Sequence, residues 1–226
     1  MKKIHFLLLF IWLTLSATGQ RKADFGILAG VSSYIGDINP GKFMYSPLPA
    51  GGIFYRYNIN PRQAIRGNLL FEQLRADDLD FSNAFQIARA ASFSGSVVEG
   101  SVQFEFNFLP YATGGKPWDF TPYLAAGAGL AFINSTVLTY EPVIPFSLGI
   151  KVNLYKNLGL EAEYGFRKTF YDNFDGLKDS VDPSDVAWLH NNDWYSFAGI
   201  ALTWKMYSKL AECPVYDDVN LKRRRR

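Results

Sequence analysis

From Val97 to Phe108 the chain reads VVEGSVQFEFNF, and alternate residues have opposite character. Val98, Gly100, Val102, Phe104, Phe106 and Phe108 make one set; Glu99, Ser101, Gln103, Glu105 and Asn107 make the other. Such alternation marks an extended strand with two different surroundings, because a helix would scatter both sets around its circumference. The pattern recurs. Leu158, Leu160, Ala162, Tyr164 and Phe166 oppose Glu161, Glu163 and Arg167, and Ile144, Phe146, Leu148, Ile150, Val152 and Leu154 oppose Lys151 and Asn153. Ile53, Tyr55, Tyr57 and Ile59 oppose Arg56 and Asn58, while Ile65, Leu69 and Phe71 oppose Arg66, Asn68 and Glu72.

The alternation predicts eight strands, over about 23–35, 50–59, 63–75, 93–109, 121–134, 144–154, 157–170 and 193–206. Short links join the second to the third (NINPRQ) and the sixth to the seventh (LYKNL). A moderate Gly/Pro-rich link, PYATGGKPWDF, joins the fourth to the fifth, and the remaining connections are mostly longer and polar, notably Tyr171–Asn192. Short turns at one end and long loops at the other form the outer-membrane barrel pattern. The predicted fold is therefore all-β: an eight-stranded antiparallel transmembrane β-barrel with short periplasmic turns and longer extracellular loops.

Periodicity is the same for a soluble barrel with its apolar faces inside. Strand length, small residues and charge balance favour apolar faces outside. The strands are long enough for a tilted crossing. Small residues such as Ala125, Gly127, Gly129 and Ala131, opposite Leu124, Leu130 and Phe132, suit the crowded interior of eight strands. Glu72, Glu99, Glu105, Glu161 and Glu163 can balance Arg56, Arg66, Lys151 and Arg167 in a narrow, side-chain-filled lumen with no open pore. Trp194 and Trp204 share one face of the last strand. Their separation, at about 3.3 Å per residue and a tilt of roughly 40°, projects to about 25 Å, the height of an apolar band bordered by aromatic girdles.

Lys2 and Lys3 precede an apolar run, Phe6–Leu15, and the small residues Ala17-Thr18-Gly19. This predicts a secretory signal over 1–19, cleaved to leave Gln20 first. The barrel is then assigned to 20–207 and a basic periplasmic tail to 208–226, ending in Lys222, Arg223, Arg224, Arg225 and Arg226 as a possible partner contact. Localisation in the outer membrane follows, with lipid as one partner. The formal charge of +2 gives no field suited to nucleic acid, and the lone Cys213 allows no intrachain disulfide framework.

Catalysis, cofactor and metal sites are not expected. His190, near Asp193 and Ser196, has no nucleophile motif around the serine. The aspartates Asp172, Asp175, Asp179, Asp182 and Asp185, and likewise Asp77, Asp78 and Asp80, match no known calcium-loop spacing.

The phrases SSYIGDINP (Ser32–Pro40), YRYNINPRQAIRGNL (Tyr55–Leu69), RADDLDFSN (Arg75–Asn83) and EGSVQFEFNFLPY (Glu99–Tyr111) resemble the PorG-type outer-membrane proteins of Bacteroidota. The stretch IARAASF (Ile87–Phe93) is less polar than that pattern. The resemblance implies a non-enzymatic barrel of the type IX protein secretion system, tied in some species to gliding motility. It further implies association at the periplasmic side with the ring of the lipoprotein PorK and its partner PorN. The alternatives are a stand-alone surface barrel for adhesion or ligand binding, and a lipid-modifying barrel enzyme.

Overall fold

The computed structural model describes residues 23–36, 38–39, 42–82, 84–134, 138–170 and 194–206. Its strands are β1 (Ala23–Ile35), β2 (Leu48–Asn60), β3 (Gln63–Asp77), β4 (Ser92–Asn107), β5 (Phe120–Asn134), β6 (Leu138–Tyr155), β7 (Leu158–Thr169) and β8 (Trp194–Lys205). Each pairs antiparallel with its neighbour in sequence, and β1 closes on β8 from Asp24↔Lys205 to Ile35↔Trp194. Closure leaves no sheet edge, which a strand protein needs in lipid because hydrocarbon offers unpaired amides nothing. The signal segment 1–19, the loop 171–193 with His190, and the tail 208–226 with Cys213 and Lys222–Arg226 lie outside the described residues.

The register fixes which set faces out. On β4, Val102 is 60% and Phe104 47% exposed, whereas Glu99 and Glu105 are 0%. Ile53, Leu69, Leu130, Leu148 and Ile200 are exposed likewise, so the apolar sets form a continuous outer wall. A one-residue slip would put Glu99 and Glu105 into hydrocarbon, so the surroundings lock the register.

The phase of the pattern reverses toward the long-loop end. On β3 the outward residues change from Ile65, Leu69 and Phe71 to Gln73 and Arg75, and the inward ones from Arg66 and Glu72 to Leu74 and Ala76. On β4 the outward residues change from Val102 and Val98 to Ser94 and Ser92, while Val97 and Phe93 turn inward. The two reversals are level, since Phe71 pairs with Val98 and Gln73 with Ser96. Beyond that line the barrel has a water-type core of Tyr34, Ile38, Tyr45, Leu74, Phe93, Val97, Ile133, Val143 and Tyr195. β3 and β4 thus leave lipid at a common height and continue through water.

Two elements differ from the sequence expectation. β6 starts at Leu138, not near 144, so residues 135–137 alone connect it to β5, and this long-loop-end connection is short. Pairing runs from Asn134↔Leu138 to Gly129↔Val143, lapses opposite Pro145, which has no amide hydrogen to donate, and resumes in the same register at Ala126↔Phe146. The β3–β4 connection contains a 3₁₀ turn (Asp78–Asp80) and a short helix, α1 (Ala84–Arg89). Six helical residues are too few for a periodic signal.

Candidate functional site

The lumen carries the predicted charges in two groups of contacts, one around Glu105 and one joining Arg167 to Glu99. Arg56 on β2 meets Glu161 with both terminal nitrogens at 2.6 Å and Glu105 with Nε at 2.7 Å. Arg66 on β3 meets Glu163 through Nη1 at 2.6 Å and Glu105 through Nε at 3.1 Å, and donates to Gln103 Oε1 at 2.8 Å. Lys151 on β6 donates to Glu105 at 2.5 Å and to Asn107 at 3.1 Å. Glu105 therefore sits between three cations. Arg167 Nε and the Tyr195 hydroxyl both reach Glu99 Oε2, at 3.3 and 3.0 Å. Glu72 is fully buried in the same upper region with neither carboxylate oxygen hydrogen-bonded.

Residues outside the predicted set complete this network. Asp24 on β1 lies 3.8 Å from Arg56, Glu141 is a further buried carboxylate, and Tyr123 and Thr203 donate to Glu163 and Glu161 at 2.7 Å. Inward aromatic rings support the cations: Arg56 and Arg66 lie 4.8 and 5.3 Å from the centre of Phe54, Lys151 4.3 Å from Tyr123, and Arg167 5.3 Å from Phe197. Such stacking stabilises a desolvated cation. Two of the rings occupy space that glycine leaves. A Cβ on Gly26 would meet Phe54 at 2.2 Å, and one on Gly149 would meet Tyr123 at 2.7 Å. The Phe54-x-Arg56 spacing was visible in the sequence as an aromatic in the polar phase of its strand.

Both mouths are covered by side chains. At the long-loop end Tyr45 donates to Asp80 at 2.6 Å, and Gln86 of α1 donates to the Ile38 carbonyl at 2.9 Å. Burial, with Asp80 alongside, pushes the Tyr45 phenol up to about 12, so it remains a donor. Arg89 makes two 2.7 Å bonds to Asp78, which also accepts from the Ala91 amide at 3.0 Å. The Arg89 bonds hold the Asp78 carboxyl below its ordinary range. At the short-turn end, residues 108–119 between β4 and β5 fold beneath the lumen. Tyr111 donates to Asn153 Oδ1 at 2.9 Å, Asn153 to the Ala112 carbonyl at 2.9 Å, and Thr113 to Asp24 Oδ2 at 2.9 Å. The sequence marked this stretch only as a connection.

Trp204 projects from the outer wall at the short-turn end, 64% exposed. Trp194, at the other end of β8, is half-buried with the Lys168 ammonium 5.4 Å from its ring centre. Tyr140 is exposed toward the long-loop end, and Tyr155 and Trp118 toward the short-turn end.

The fold matches solved outer-membrane barrels. Neisserial surface protein A aligns with a TM-score of 0.51 at 12% identity, covering 81% of this chain and 97% of that one. OprG of Pseudomonas aeruginosa aligns with 0.43 at 11%, covering 82% and 98%, and Ail of Yersinia pestis with 0.37 at 17%, covering 80% and 97%. Among curated proteins none matches. With its apolar outer wall and closed antiparallel sheet, the chain is an eight-stranded outer-membrane β-barrel. A family model matches residues 2–215, and the protein belongs to that family, described as a domain of unknown function, DUF6089.

Proposed function

We propose that the protein is a non-enzymatic outer-membrane component of the type IX secretion machinery, anchoring or orienting a PorK/PorN-like periplasmic ring. The observation that carries this reading is the lumen. Buried ion pairs fill it from Asp24 to Glu99, and residues 108–119 fold beneath it. A barrel without a passage acts through its ends and its wall, and a filled interior makes a rigid anchor. The resemblance in Ser32–Pro40 and Tyr55–Leu69 supplies the partner class. In this reading the signal 1–19 directs export, and the tail 208–226 and short turns face the periplasm.

Pull-down from detergent-solubilised outer membrane tests it. Ring proteins are expected to accompany the full chain and to be depleted when the chain ends at Lys209. Their absence from the full-chain sample refutes the proposal. Retention after truncation moves the contact to the turns at Asn60 and Tyr155.

A second reading, a surface barrel for adhesion or ligand binding, is favoured by Leu79 and Ile87, exposed apolar residues at the long-loop end. Neisserial surface protein A, of the same fold, is a surface protein by name. Shortening Tyr171–Asn192 would then abolish binding to the ligand while secretion of other proteins continued.

A further inference from the structure

The apolar outer wall is not evenly covered. A groove of about 300 Å³ crosses it over β4, β5, β6 and β7, between two rows of side chains. The row nearer the short turns is Phe106, Leu124, Leu148 and Tyr164, each paired with the next across the sheet. In the other row Ala126 stands between its partners Phe104 and Phe146, so a methyl group interrupts a line of rings and forms the floor. The groove begins at Phe106, one residue from the short-turn end of β4, and reaches Tyr164, six residues beyond the start of β7. It therefore climbs from the rim into the apolar band. Edge-to-face ring pairs, Phe106 with Phe108 at 5.6 Å and Tyr164 with Phe166 at 5.0 Å, fix the rings at its two ends.

A cation stands at the rim end. Arg62, in the β2–β3 turn, is exposed, and its Nη1 donates to the Phe108 carbonyl at 2.7 Å. The Arg62 carbonyl accepts from the Asn107 amide at 2.8 Å, and the next residue, Gln63, pairs with Phe106. The guanidinium is thus tied to the end of β4 by one nitrogen, and among the described residues it has no ion-pair partner. The planar fork of an arginine suits a phosphate, whose oxygens can accept from two of its N–H groups together. An apolar groove in a hydrocarbon-facing wall, starting beside such a guanidinium, has the outline of a lipid with its phosphate at the rim and a chain leading away from it.

We propose that this groove is a phospholipid site, with the lipid phosphate on Arg62 and one acyl chain lying over Ala126 between the two rows. The inference rests on the outer-membrane fold and is independent of any role in secretion.

Native mass spectrometry of the full-length barrel, titrated with lipid in detergent micelles, tests it. The probes are dioleoyl phosphatidylcholine and dioleoylglycerol, which share both chains; the first adds a phosphate without net charge. Phosphatidylcholine is expected to bind about tenfold more tightly, the scale of one charge-assisted contact. Arg62→Gln should remove that difference and leave the dioleoylglycerol affinity unchanged. Ala126→Phe, which fills the floor, should weaken both lipids at least about tenfold, the scale of about two displaced methylenes. Ala162→Phe, exposed on β7 outside the groove, should weaken neither. Equal affinities in the native chain, a difference that persists in Arg62→Gln, or equal effects of Ala126→Phe and Ala162→Phe overturn the proposal. So does a barrel dimer that Ala126→Phe dissociates, since a second copy would then be the occupant.

Discussion

Replacing Arg56 by Met tests whether the lumen is a desolvated ion-pair network or a screened, water-like interior. Arg56 makes two 2.6 Å contacts to Glu161 and a 2.7 Å contact to Glu105, with all three groups about 1% exposed or less. The substitution keeps an apolar stem of similar length over Phe54 but leaves the acids behind. The two acids lose unequally. Glu105 retains Lys151 at 2.5 Å and Arg66 at 3.1 Å. Glu161 retains the Thr203 hydrogen bond at 2.7 Å and has no other ion-pair partner within 4 Å among the described residues. Stranding a buried charge costs about 3–5 kcal/mol. At a slope of about 1–3 kcal/mol per molar urea, the unfolding midpoint should fall by at least about 1 M. Equilibrium urea unfolding of the refolded barrel in micelles, followed by tryptophan fluorescence, measures this. Adding Glu161→Gln to Arg56→Met should restore most of the loss, because it neutralises the stranded acid. Adding Glu105→Gln should restore less, because it leaves Lys151 and Arg66 without their shared acceptor. A loss below about 1 kcal/mol for Arg56→Met, the range of an exposed pair, would refute the desolvated lumen. So would better rescue by Glu105→Gln than by Glu161→Gln.

The outer wall, the strand contacts and the long-loop end give further expectations. Val102→Lys places a charge on the middle of the lipid face and should cost about 2–4 kcal/mol in the same unfolding assay, against about 0–1 kcal/mol for Phe108→Lys near the border. Equal costs would mean that no apolar band lies there. Gly26→Ala should markedly lower the unfolding midpoint because its Cβ would meet Phe54 at 2.2 Å, whereas Gly100→Ala, with nothing within 4 Å, should leave the midpoint nearly unchanged. The Asp78 carboxyl lies below its ordinary value, so its contribution is full above about pH 3.9 and is lost as pH falls through the lower folded value. Amide exchange at Ala91 and Phe81 should therefore accelerate selectively in acid beyond the intrinsic pH dependence of exchange, and Asp78→Asn should show the faster exchange already at neutral pH.

Two-residue alternation made the strands and their faces legible, because on β4 and β7 a single side chain out of phase would carry a charge into lipid. It gave much less about what fills the lumen. Phe54, Tyr123 and Phe197 fall in the polar phase, and a binary reading has no place for an aromatic ring there. Only their contacts with Arg56, Arg66, Lys151 and Arg167 show them to be platforms for cations. Asp24 was hidden for another reason. As the second residue of β1 it has an ordinary strand-end context, and its partners Thr113 and Asn58 come from residues 89 and 34 positions away. The link 108–119 reads as Gly/Pro-rich punctuation, and its hydrogen bonds to Asn153 and Asp24 depend on closure of the barrel.

The phase reversal between Phe71 and Gln73, and between Val98 and Ser96, bears most directly on which side is wet. A soluble barrel keeps its apolar residues inside along the whole strand, because water surrounds every level of it. A strand that is apolar-out over Ile65–Phe71 and apolar-in over Leu74–Ala76 has crossed from one external solvent to another. The adjacent strand reverses at the residues paired with that point, so on β3 and β4 the change lies in one plane, while β6 keeps Tyr140 outside and Glu141 inside to its long-loop end. Below the plane the outer wall meets hydrocarbon and charge is enclosed with its counter-charge. Above it the ordinary hydrophobic effect builds the Tyr34–Leu74–Phe93 core that covers the lumen. The same sheet therefore serves as a membrane wall and as the shell of a water-type domain, and the position of the change is set by where the lipid ends.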